Sequence, residues 1–91
     1  MLASKEILEF RRALSELERR VDQMHTEFGE YRYGQTQKMP DWDRLEKELL
    51  IFSRRKIFDL ALSNERDRIL FKFQNRKKIW LAWADEVHRV H

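Results

Sequence analysis

The chain reads as an all-α protein: three long helices in a helical bundle or an antiparallel coiled-coil-like hairpin, completed by oligomerisation. Three observations point there. The 91 residues include only two glycines and one proline, with 38% charged and 42% hydrophobic side chains, a composition of helical bundles rather than of disordered tails. Ile7, Phe10, Leu14, Leu17, Val21, Met24, Phe28 and Tyr31 recur at alternating spacings of three and four without a slip, a heptad seam that must lie along another helix, in this chain or in a second copy. A second seam, Ile69, Phe73, Trp80, Trp83, Val87 and Val90, repeats the pattern near the end, interrupted by Arg76.

The elements follow in order. Helix 1 runs from Ser4 to about Arg32, where Gly29 and Gly34 mark its fraying end. The polar, proline-containing tract 33–41 is a connection, and Asp41 after Pro40 is an N-cap, with Asp43 and Glu46 near the positive end of the next helix dipole. Helix 2 spans about 42–62. Ser63 and Asn64, followed by Glu65 and Asp67, offer caps for a tight break, so helix 3 takes about 65–90. These helices form a single domain, since a chain this short allows only one small core.

Cysteine is absent, which removes disulfides, thiolate metal sites and thiol catalysis and fits a reducing, cytoplasmic home without ruling out the nucleus. The longest charge-free run, Ile79 to Ala84, is far shorter than the roughly 20 apolar residues that cross a bilayer, so no membrane association is expected. Lys5 and Glu6 occupy the place of a signal peptide's apolar stretch.

Helix 2 is apolar on two sides. Trp42, Leu45, Leu49, Phe52, Ile57 and Leu60 make one broad face, while Ile51, Phe58 and Leu62 cluster opposite. Two helical neighbours satisfy the first face and leave the second wet, so Ile51, Phe58 and Leu62 form a candidate partner-binding patch for a homodimer or a hetero-oligomer. Arg76, Trp80 and Trp83 are the second candidate set, because tryptophan and arginine dominate binding hot spots. The competing reading packs both tryptophans in the core and pairs Arg76 with Glu16, Glu18, Glu27 or Asp59.

The entire net charge of +3 resides in residues 65–91, with seven basic against four acidic side chains. Arg54, Arg55, Lys56, Arg66, Arg68, Lys72, Lys77 and Lys78 could neutralise phosphates, so nucleic-acid binding is the alternative function. The run Phe73-Gln74-Asn75-Arg76-Lys77 is similar to the recognition helix of homeodomains, in which Asn75 would contact a base. Lys72 stands where that family has a tryptophan, and the interval from Leu45 to Phe73 is about one turn too short, so the likeness is set aside as chance.

No phosphate loop, nucleophile motif or paired-carboxylate site is apparent, and no small-molecule substrate, cofactor or metal is expected. Asp85, His88 and His91 share a helical face, but a terminal helix frays and they read as solvated side chains. The sequence therefore points to a non-enzymatic helical interaction module, an adaptor or a small assembly or regulatory subunit.

Overall fold

The structure is a computed structural model that describes residues 4–90, with the side chains of Ser4 and Val90 excepted. Its three helices are α1 (Ser4–Arg32), α2 (Trp42–Ser53) and α3 (Leu60–Val90). Among the described residues there is no strand.

The end of α1 is set by local chemistry. Gly34 takes a φ of 77°, its amide donates to the Tyr31 carbonyl at 3.2 Å, and the Gln35 amide donates to the Glu30 carbonyl at 2.8 Å. This pair of bonds is a Schellman motif, which satisfies the last carbonyls and needs a residue free to adopt positive φ. The chain then folds back through 33–41, burying Pro40. Asp41 caps α2, its Oδ1 accepting from the Arg44 amide at 3.2 Å.

The second break falls at 54–59, not at 63–65: α2 stops at Ser53 rather than running to Leu62, and α3 starts at Leu60. Two groups hold this turn. Arg66, from the second turn of α3, donates from Nη1 to the carbonyls of Ser53 and Arg55, each at 3.2 Å, so a cation closes the negative end of α2. Asp59 caps α3, accepting from the Leu62 amide at 2.9 Å. Asp59 and Ser63 are comparable caps locally. The earlier break wins because it rotates Leu62 and Ile69 into the core with Leu14 and Leu17.

The bundle runs up, down, up. Contacts between α1 and α3 climb together, from Glu18 with Arg68, through His25 with Arg76, to Arg32 with Glu86, so the two long helices are parallel to each other while consecutive helices run antiparallel. Short α2 is the antiparallel member, with Phe52 against Phe10 (ring centroids 4.7 Å apart) and Glu48 paired with Arg20. A 12-residue helix covers only about 18 Å, less than half of a body 55 Å long and 18 × 17 Å across.

All eight positions of the α1 seam turn inward, five of them buried and two of these, Val21 and Phe28, fully so. From α3 the core takes Leu62, Ile69, Phe73, Trp80 and Ala84, and from α2 Leu45 and Leu49. The Phe28 and Trp80 rings stack at 5.1 Å and 4°, and Phe73 meets Trp80 edge-on at 5.7 Å.

Truncating Phe28 to alanine should cost about 3–5 kcal/mol in urea unfolding. For the position of the break, Asp59→Ala should cost about 1 kcal/mol while Ser63→Ala stays within roughly 0.5 kcal/mol. The reverse order would place the start of α3 at Ser63.

Candidate functional site

The two candidate sets do not assemble as the sequence suggested. Of the patch on helix 2, Ile51 (65% exposed) and Phe58 (88%) lie open, but Leu62 is 3% exposed. Leu62 is corrected from surface to core, and Leu60 exchanges places with it at 76% exposure. The cause is the turn at 54–59, which ends the single helical wheel on which Leu60 and Leu62 were sorted. Ile51, Phe58 and Leu60 thus gather along the α2–α3 connection at one end of the rod.

Sequence reasoning also missed Phe71, 70% exposed. At 100° per residue it falls nearly opposite Ile69 and Phe73 on α3, and that solvent-side placement was the available signal.

The second set is mostly internal. Trp80 is fully buried, Trp83 is half-buried, and Arg76 is half-buried without the carboxylate partner expected for it. Arg76 instead sits with Nη1 at 3.3 Å from His25 Nε2. Trp83 rests on the His25 ring at 5.3 Å and carries the Arg32 guanidinium over its face at 5.0 Å.

The carboxylates that Arg76 was expected to use are held elsewhere. Glu18 receives both terminal nitrogens of Arg68, at 2.8 and 2.9 Å, and Lys72 at 3.1 Å. Lys72 also reaches Asp22 at 2.7 Å. The Arg68 bonds, reinforced by Lys72, pull the Glu18 carboxyl down to about 2 from an ordinary 4.5, against partial burial. The bond to Asp22, with help from Glu18, raises Lys72.

The same pairing occupies much of the basic tract. Arg66 is bound to the carbonyls of the α2–α3 turn and to Asp67, Arg68 to Glu18 and Glu65, and Lys77 to Glu46 at 2.7 Å while lying over the Trp42 ring at 4.7 Å. Arg55 covers the Phe10 and Phe52 rings at 5.7 and 5.5 Å. Arg54, Lys56 and Lys78 have no ion pair among the described residues.

The His25 ring has a definite tautomer. The Trp80 indole N–H donates to His25 Nδ1 at 3.0 Å, and an indole can only donate. Because Trp80 is 0% exposed, leaving that N–H unmatched would cost about 1–3 kcal/mol. Nδ1 is therefore the acceptor, and the neutral ring carries its proton on Nε2. Burial holds His25 below its ordinary 6.5, with the Arg76 charge acting the same way and Asp22 opposing both.

At the far end of α3, Asp85 pairs with Arg89 at 3.0 Å and the His88 ring lies 3.3 Å from the Tyr31 hydroxyl. His91 lies outside the described residues. Among the described residues no helix is long and apolar enough to cross a membrane, and no cluster of three metal-ligating side chains occurs. No protein-family model, curated protein or solved structure matches the chain.

Acid should weaken the fold in two stages. The folded state favours neutral His25, so its contribution is present above about pH 6.5 and is lost as pH falls below that value. The Glu18 contribution is present above about 4.5 and is lost as pH falls toward 2. Urea midpoints recorded between pH 8 and 3 should decline through both ranges. His25→Gln should flatten the upper stage alone, and a pH-independent midpoint from 8 to 5 would contradict the assignment at His25.

Proposed function

We propose that this protein is a non-enzymatic helical interaction module, an adaptor or small assembly subunit, that docks through the apolar end formed by Ile51, Phe58 and Leu60. The observation that carries this reading is the exposure of those three side chains, at 65%, 88% and 76%, beside a core that fills without them. Single exposed apolar residues are ordinary, whereas several large ones at one end of a small protein mark a contact surface.

Total surface supports the same reading. The chain exposes 6716 Å², whereas a compact monomer of 11.3 kDa exposes about 5,700 Å². The excess follows from the rod shape, since α2 flanks less than half of the α1–α3 pair. An elongated body offers long sides and an end to a partner, and the occupant proposed for the end is a second copy of the chain. Two such ends meeting would shield Phe58, whose side chain has almost no intramolecular contact to lose.

Phosphate binding by the 54–78 region fits the geometry less well. Arg66, Arg68, Lys72 and Lys77 are each engaged by an acid or a carbonyl, and recruiting them would require breaking those bonds. Of the residues proposed for that role, Arg54, Arg55, Lys56 and Lys78 have no ion pair among the described residues, and Arg55 lies over the Phe10 and Phe52 rings, which leaves few cations for the multi-phosphate contacts that give strong, salt-dependent binding.

Sedimentation equilibrium at tens of micromolar should report a dimer or larger species for the wild type. Phe58→Glu and Ile51→Glu should each shift it to monomer while helical circular dichroism stays unchanged. A wild-type chain that is monomeric throughout that range would remove the self-docking end.

A further inference from the structure

The surroundings of His25 contain more hydrogen-bond donors than acceptors. Trp80 Nε1–H occupies Nδ1 at 3.0 Å, and the Arg76 guanidinium stands 3.3 Å from Nε2. Indole and guanidinium groups only donate, and a neutral imidazole offers one acceptor nitrogen. One of the two contacts must therefore set donor against donor. Trp80 is fully buried, whereas His25 and Arg76 both reach partway to solvent, so the mismatch falls at Nε2–H and the guanidinium, where something from outside can enter.

Charge points to what enters. Glu18 and Asp22, the acids of α1 that face this stretch of α3, are engaged by Arg68 and Lys72. Arg76 has no carboxylate among the described residues. At the His25 ring the influence of Arg76 exceeds that of Asp22. Arg76 also borders a shallow depression of about 410 Å³ lined otherwise by Arg68, Phe71, Lys72, Asn75 and Ile79, all residues of α3, so the depression opens on the guanidinium side of the pair and His25 does not line it.

We propose that His25 Nε2–H and the Arg76 guanidinium form a binding site for an oxyanion, of the phosphate or carboxylate class, at the rim of the α1–α3 groove. One oxygen accepts from both donors, and the guanidinium keeps further N–H groups for a second oxygen, the geometry that makes arginine effective with planar or tetrahedral oxyanions. The site needs neither the apolar end of the rod nor self-association, and stands or falls independently of them.

The test uses the full chain labelled with nitrogen-15, observed through the histidine ring at pH 7.5. Without added oxyanion the spectrum should show His25 protonated at Nε2 and bare at Nδ1. Sodium phosphate and sodium acetate, each titrated against sodium chloride at constant ionic strength, should move the His25 Nε2 and Trp80 indole signals along a saturating curve. Arg76→Gln should weaken binding by roughly tenfold, the loss of one charge-assisted bond pair, while Lys78→Ala leaves it unchanged. Saturation by phosphate alone assigns the phosphoryl class, and saturation by both assigns oxyanions generally. If neither saturates, or if Lys78→Ala weakens binding as much as Arg76→Gln, the site holds only water or a diffuse ion cloud and the proposal is wrong. Arg76→Lys keeps the positive charge should the glutamine variant fold poorly, and it should retain part of the binding.

Discussion

The burial of Trp80 between α1 and α3 is the constraint on which the remaining structure depends. Its ring stacks on Phe28, meets Phe73 edge-on and donates its one polar hydrogen to His25. Apolar contact alone would let two heptad seams slide by a turn, because each step presents similar side chains. A single indole N–H that must find one imidazole nitrogen allows one alignment. That bond places residue 80 beside residue 25, and the parallel pairs Glu18 with Arg68 and Arg32 with Glu86 then fall into step below and above it.

The ion pairs along this rim add specificity more than stability. Most are partly exposed, where an isolated pair contributes about 0–1 kcal/mol. Glu18 is the exception in kind, because it gathers Arg68 and Lys72 at once and its carboxyl is held near 2. This gathering matches the Arg68 and Lys72 part of the basic tract with acid, while Arg54, Arg55, Lys56 and Lys78 stay exposed. Charges close together in sequence are separated in space by a helical turn and matched by acids from a neighbouring helix.

The apolar end arises from the same economy of length. With α2 stopping at Ser53 and α3 starting at Leu60, the connection must leave the bundle to reverse direction. The residues on its outer side, Ile51, Phe58 and Leu60, have no third helix to cover them. Arg66 and Asp59 stabilise the turn through backbone groups, so the exposed side chains are not needed to hold it. A turn stabilised by its backbone is free to present large apolar side chains outward.

The sequence by itself determined the helical class, the full extent of α1, the loop at 33–41, the cap at Asp41 and the inward face of α1, because each follows from periodicity or capping within a few residues. It placed the start of α3 after Ser63 and Asn64 and passed over Asp59, a comparable cap that local capping energies do not separate from Ser63. Only tertiary packing chose between them: starting at Leu60 lets Leu62 join the core and leaves Leu60 outside. The partner of Arg76 was likewise beyond local reading, because it depended on which residues of α1 lie level with α3. The parallel arrangement brought His25 there and gave the nearby acids to Arg68 and Lys72. Periodicity tells which side of a helix turns inward, whereas the alignment between helices comes from contacts some fifty residues apart in the chain.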